Sequence, residues 1–180
     1  LDAGARHVLV SYPVDDADAM VVYGVNHGLL DDSQKIVSNA SCTTNCLAPL
    51  VDVLDRAFTV KQGLMTTIHS YTNDQNLVDK SHVDLLRARA AAVNMIPTGT
   101  GAARAVGKVL PHLAGRLDGM AVRVPTLNVS LVDMTLLLEQ PVTVEGVHES
   151  LSNAAHGDLQ GVLAMNHLAL VSSDFNHLPY

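Results

Sequence analysis

Ser38-Asn39-Ala40-Ser41-Cys42-Thr43-Thr44-Asn45-Cys46-Leu47-Ala48-Pro49 reads as the point where a strand hands over to a helix. On its N-terminal side Lys35-Ile36-Val37-Ser38 is short, apolar and β-rich. On its C-terminal side Cys46, Leu47, Leu50, Val53, Leu54 and Ala57 recur at helical spacing. Further towards the N-terminus, His7-Val8-Leu9-Val10-Ser11 reads as a buried strand ended by Pro13 and the acidic stretch Asp15 to Asp18, and Ala19 to Val25 as a second. Three such strands fit the edge of an α/β layer better than a free-standing domain. Beyond the helix the pattern changes. Gly63 to His69, Met120 to Val124, Asn128 to Glu139 and Leu168 to Ser172 are strand-like. Thr100 to Val109, announced by a Pro97-Thr98-Gly99-Thr100-Gly101 turn, and Val144 to Ala155, ended by Gly157, are helical. Asn73 to Ala92 is a long polar loop. Strands outnumber helices without regular βαβ alternation, which predicts an α+β unit with helices on one face of a mostly antiparallel sheet.

The bulk properties narrow the function classes. The chain has 180 residues, 48% apolar and 16% charged, with a formal net charge of −7. That balance argues against a nucleic-acid partner, for which a clustered basic surface is expected. No apolar run approaches the ~18 residues of a membrane span, and the N-terminus has no basic-then-apolar signal pattern. Two cysteines make no disulfide framework, so a reducing, cytoplasmic setting is the expectation.

The chemistry concentrates at the handover. A helix N-terminus carries unpaired N–H groups and a partial positive charge, and a cysteine there has a depressed pKa. The bland reading of Cys42 is a small core residue at a tight turn. Its neighbours Ser41, Thr43, Thr44 and Asn45 weigh against that, because an inert core cysteine needs no cluster of polar side chains. Cys46, a turn further in, reads as structural. A thiolate nucleophile needs a base within reach. Of nine histidines, His69 is the candidate, since it ends the apolar strand Leu64 to Ile68 beside Ser70-Tyr71-Thr72. A packed or solvent-facing histidine is the bland alternative. A zinc site from Cys42, Cys46 and His69 is disfavoured, because structural sites draw four ligands from two compact clusters. Thr98-Gly99-Thr100-Gly101 opens a helix and can hold a phosphate, although no Lys-Ser/Thr follows to make a P-loop. Arg123, flanked by Val122 and Val124, needs a partner: either a phosphate or an internal carboxylate such as Asp133.

Together these residues resemble the glyceraldehyde-3-phosphate dehydrogenase family. Ser38 to Pro49 is similar to its active-site signature, and His69-Ser70-Tyr71-Thr72-Asn73-Asp74-Gln75 to its catalytic-histidine segment. Arg87-Ala88-Arg89-Ala90-Ala91-Ala92, Thr100-Gly101-Ala102-Ala103, Arg123-Val124-Pro125-Thr126 and Ser172-Ser173-Asp174-Phe175-Asn176 follow in family order. The resemblance implies that Cys42 attacks an aldehyde, that hydride passes to NAD, and that inorganic phosphate releases an acyl phosphate from the thioester. It implies His69 as base and, with the Cys42 N–H, as oxyanion partner. It assigns Thr72 and Arg123 to the phosphate of glyceraldehyde 3-phosphate. Ser41, Thr43, Thr100 and Gly101 go to the attacking phosphate, with Arg87 near both. Ser11 and Ser81 go to the cofactor. It also implies a homotetramer, and it divides the chain into residues 1–41, the tail of an α/β Rossmann-type dinucleotide-binding domain, and residues 42–180, the catalytic domain.

The departures are informative. No glycine-rich dinucleotide fingerprint lies within these residues, nor the family's C-terminal asparagine segment, so the expectation is a chain truncated at both ends and inactive alone as a dehydrogenase. Tyr12 stands in place of a small residue, Leu86 of an Arg and Val83 of a Lys. His177-Leu178-Pro179-Tyr180 leaves the usual continuation. Ser81 stands where Pro is common in NAD-specific members, and its hydroxyl suits the 2′-phosphate of NADP. Erythrose-4-phosphate dehydrogenase shares Cys42 and His69, but Thr100-Gly101-Ala102-Ala103 resembles the glyceraldehyde-3-phosphate pattern. A Cys–His acyl hydrolase could use the same dyad with water, although the phosphate-holding set speaks against it; a non-catalytic assembly module is the third class.

Overall fold

The computed structural model describes residues 1–180. The chain builds two sheets joined through one long helix. In the first, β1 (Val8–Val10) and β2 (Ala19–Met20) lie parallel on either side of β3 (Ile36–Ser38). The expected strand Ala19 to Val25 stops at Met20 because Asn26 folds back on it. The Asn26 side chain accepts from Val22 N–H at 2.8 Å and donates to Met20 O at 3.0 Å, so the segment turns. Gly24, at φ +85°, sits in that turn hard against Leu159 and Val162, where a side chain would have no room.

Helix α1 (Cys42–Phe58) follows β3. Its buried face carries Leu47, Ala48, Val51 and Leu54, and Ser41 caps it by accepting from Thr44 N–H at 3.1 Å. The second sheet has the order β5-β6-β4-β7, with β4 (Val60–Ser70) and β6 (Leu117–Val124) in the middle. β7 (Leu131–Leu138) pairs antiparallel with β4, and β5 (Ile96–Gly99) antiparallel with β6. The β4–β6 pair is parallel, reached by a crossover through α2 (Ala102–Val109). The unit is therefore α+β, with two antiparallel pairings and one parallel.

Residues Ile96 to Gly99, expected to lie partly in a turn, form the edge strand β5. Pro97 is tolerated there because an edge strand needs no ladder donor on its outer side. Helix α2 accordingly starts two residues later than Thr100. Helix α3 (Val144–His156) lies on α1 and is capped by Thr143, which accepts from Gly146 N–H at 3.1 Å. Leu168 to Ser172 is no strand. Its backbone groups are satisfied locally, Leu168 N–H by Asn166 and Val171 N–H by Asp174, and Leu168 and Val171 stay exposed with no neighbouring strand to pair. Only a short 3-10 turn, Ser172–Phe175, follows.

One face of the second sheet is covered. Val60, Met65 and Leu117 pack with Leu47 and Val51 of α1 and Val106 of α2 in a single core that also takes in Val22. On the opposite face Leu64, Met120, Leu131 and Leu137 are exposed. No helix is long and apolar enough to cross a membrane.

Three substitutions test this packing. A Cβ added at Gly119 would collide with the Met65 carbonyl oxygen across the β4–β6 pair. Gly119→Ala is expected to cost about 1–3 kcal/mol in urea unfolding, whereas Gly101→Ala, which meets open space, should stay within about 0.5 kcal/mol of wild type. Thr67 is fully buried on the covered face and its Oγ1 has no partner. Thr67→Val should therefore raise stability, by about 1 kcal/mol; a loss of similar size would show that the hydroxyl is satisfied after all.

Candidate active site

The nucleophile's position is set by a sharp exit from β3. Ser38 is fully buried, and its hydroxyl ties the neighbouring loop down by donating to Tyr12 O at 2.7 Å and accepting from Val14 N–H at 3.1 Å. Ala40 then takes a left-handed backbone, φ +57°, although it is not glycine. That kink turns the chain into α1 and leaves Cys42 as the helix's first residue, with its side chain exposed. The thiol pKa is lowered to about 7. Contact with His69 is the main cause, opposed by partial burial and helped by the Thr43 hydroxyl and N–H. Cys46 shares this exposed side of the helix instead of the packed face on which it was expected, because residues four apart lie one above the other. Its thiol is pushed above the ordinary value, first by desolvation and then by the neighbouring Cys42.

His69 lies near the end of β4, buried, with Nε2 3.3 Å from Cys42 Sγ. The register of β4 on β6 places it directly beside Arg123. Arg123 Nη1 is 2.6 Å from His69 Nδ1 and donates to Ser70 O at 3.0 Å. Nδ1 is also 2.7 Å from Ser70 O. Contact with Cys42 raises the His69 pKa, burial opposes this, the Ser70 carbonyl raises it further, and the Arg123 charge lowers it. Asp133 is not Arg123's partner. It pairs across from Thr66, an odd three residues before His69, and so lies on the open face of the sheet. Desolvation lowers the Arg123 pKa, countered chiefly by Asp74.

Asp74 is the residue that the sequence reading missed, although it lies in the quoted histidine segment. Its carboxylate accepts from the Thr72 hydroxyl and from Arg87 Nη1. Burial pushes its pKa up, but the Thr72 hydroxyl and the charges of Arg87 and Arg123 hold it below the usual carboxylate value. Arg87 also donates through Nε and Nη2 to Thr98 Oγ1, at 3.1 and 3.0 Å. Thr72 and Arg87 thus share one carboxylate, whose charge also acts on Arg123, in a group able to hold an anion.

The remaining expected residues stand apart from that contact set. Ser41 is occupied as the α1 cap, and Thr43 is buried under the thiol. Thr100 accepts from Ala102 N–H at 3.2 Å, and Gly101 caps α2. Ser11 follows β1 at the sheet edge where Val10 pairs with Ser38, and Ser81 lies on the long loop; both are exposed and neither touches the dyad. No three His, Cys, Asp or Glu side chains converge as metal ligands would.

Comparison with known proteins identifies the family. The family profile described as glyceraldehyde 3-phosphate dehydrogenase, C-terminal domain, matches residues 41–180. The chain is 59% identical over 180 residues to the plasmid-encoded glyceraldehyde-3-phosphate dehydrogenase of Cupriavidus necator, covering 99% of this chain and 54% of the relative. It is 59% identical over 179 residues to that of Pseudomonas aeruginosa, with 99% and 53% covered, and 55% identical over 174 residues to that of Mycobacterium avium, with 97% and 51% covered. The chain spans about half the length of the curated relatives it matches. With a profile match over most of its length and a thiol, an imidazole and a guanidinium meeting at the matched segments, the chain belongs to the glyceraldehyde-3-phosphate dehydrogenase family.

Proposed function

We propose that this chain carries the thiol chemistry of a phosphorylating glyceraldehyde-3-phosphate dehydrogenase. The observation that carries the reading is the 3.3 Å contact between Cys42 Sγ and His69 Nε2 at the first turn of α1. Cys42 as thiolate attacks the aldehyde carbon and forms a hemithioacetal. His69 takes the proton of the hemithioacetal hydroxyl as hydride leaves, and a thioester on Cys42 results. The Cys42 N–H, unpaired at the helix start, and His69 are the donors available to the oxyanion. Inorganic phosphate then attacks the thioester, releasing 1,3-bisphosphoglycerate and the thiolate.

Thr72 and Arg123 hold the substrate phosphate in this reading, while Ser41, Thr43, Thr100 and Gly101 hold the attacking phosphate, with Arg87 between. Support comes from the Thr72–Asp74–Arg87 cluster, which already accommodates one anionic group, Asp74. A bound nicotinamide dinucleotide supplies the hydride acceptor. The residues present fit one edge of such a site: Ser11 is exposed at the C-terminal edge of a parallel sheet, beside the strand that leads into Cys42. On this reading residues 1–41 belong to the dinucleotide-binding domain and 42–180 to the catalytic domain. NAD is the cofactor, with Ser81 extending acceptance to NADP. The apolar open face with Leu64, Met120, Leu131 and Leu137 supports assembly with further copies into a homotetramer.

Three measurements test this. Cys42 should react with iodoacetamide through a midpoint near pH 7, the value given for its thiol, losing reactivity as the pH falls below it. Cys46, with its pKa raised, should label only in alkaline solution. Peptide mapping after brief treatment at neutral pH decides, and equal labelling refutes the assignment. In the whole enzyme, His69→Asn should slow phosphate-dependent formation of reduced nicotinamide by roughly 10²–10⁴-fold; a change under about tenfold would remove His69 as the base. Ser81→Pro should lower kcat/KM for NADP while leaving that for NAD in place.

A further inference from the structure

His69 Nδ1, the Ser70 carbonyl oxygen and Arg123 Nη1 form a triangle with sides of 2.7, 2.6 and 3.0 Å. A neutral imidazole nitrogen holds either a proton or a lone pair. With a proton on Nδ1, the ring donates to Ser70 O but sets its N–H against Nη1, which can only donate. With a lone pair on Nδ1, Arg123 donates to it, and that lone pair then faces the Ser70 oxygen. No tautomer satisfies all three sides while Arg123 stays in place. The guanidinium is itself short of partners: its Nε is buried with none, and Asp74, the carboxylate whose charge acts on it, is shared with Thr72 and Arg87.

We propose that Arg123 is a positioning residue that sets the tautomer of His69, and that a phosphate monoester drawing the guanidinium outward arms the dyad. This rests on the reading of Cys42 and His69 as nucleophile and base. Without the anion, Arg123 donates to Nδ1 and the ring proton sits on Nε2. That nitrogen then points a proton at Cys42 and cannot accept one. With the anion bound, Arg123 leaves Nδ1. The ring loses its Nε2 proton to water and gains one on Nδ1, which donates to Ser70 O, so the proton count is unchanged. The Nε2 lone pair now faces the thiol and takes its proton, giving imidazolium and thiolate. The groups that bear on this equilibrium are Cys42 from α1, Arg123 from β6, and Asp74 and Arg87 of the loop behind Arg123. The substrate's own phosphate would thereby switch on the nucleophile that attacks its aldehyde.

The test uses the full chain labelled with ¹⁵N, read at the imidazole nitrogens above the pH at which the ring titrates. Glycerol 3-phosphate is the probe, since it carries the monoester without the aldehyde. In the free protein Nδ1 should resonate as unprotonated and Nε2 as protonated, and the probe should bring a proton onto Nδ1. Arg123→Leu should show the protonated Nδ1 without the probe and no response to it, while Arg123→Lys, which keeps a cation, should restore the response. Alkylation of Cys42 should follow. Its midpoint should fall by about half a pH unit with the probe or in Arg123→Leu, a roughly threefold faster reaction below the midpoint. A ring pattern in wild type that ignores the probe, or a midpoint that rises, overturns the proposal independently of how the variants fold. An equal effect of inorganic phosphate at the same concentration overturns the assignment to the monoester. If Cys42 labels at neutral pH but ignores both probe and variant, only the coupling fails; if Cys42 does not label, the proposed function itself fails.

Discussion

The register of β4 against β6 is the constraint on which the site depends. It pairs His69 with Arg123 along eight consecutive residue pairs, from Gly63↔Leu117 to Ser70↔Val124. Side chains alternate along a strand, so a slip of one residue would turn His69 to the open face and bring Ile68 under the thiol. The apolar set on the covered face holds the register, because Met65 and Leu117 reach the main core only in this phase. Gly119 lets the two strands approach at the centre of the ladder. The sheet's packing and the placement of one imidazole nitrogen are therefore the same structural fact.

Above that sheet the charges form a chain in which each group governs the next. Arg87 and Thr72 hold Asp74, Asp74 steadies Arg123, Arg123 opposes protonation of His69, and His69 lowers the pKa of Cys42. The order matters because one link, Arg123 on His69, opposes the charged form while the others favour it. A change at the outer end, where solvent and ligands have access, reaches the sulfur with its sign inverted once, at that link. The helix start contributes at the inner end, through the Thr43 N–H and hydroxyl.

Much of this was legible in the sequence. The handover at Ser41, the helix behind it and the strand ending near His69 follow from apolar periodicity, and the antiparallel character follows from the absence of βαβ alternation. What escaped depended on contacts distant in the chain. Ala19 to Val25 has the composition of a strand, but the Asn26 side chain takes its backbone partners. Leu168 to Ser172 is equally strand-like, yet no strand lies beside it. Arg123 was correctly read as needing a partner. Its actual neighbours, a ring nitrogen and a carbonyl, could not be distinguished from Asp133 without knowing which face of β7 is covered. Asp74 gave no periodic signal because it lies in a loop, where side-chain hydrogen bonds rather than burial fix position.

The turn at Gly24 bears on how the chain is made as well as how it packs. Its partners, Leu159 and Val162, lie near the other end of the chain. During synthesis at roughly 5–20 residues per second, the Gly24 turn therefore waits on the order of ten seconds for the side chains that close over it. Val22, fully buried in the finished protein, waits less long, because the residues of its own core have all been made once Leu117 is added. The cover over the Gly24 turn is therefore added last, onto a core and a thiol site whose residues have already been made.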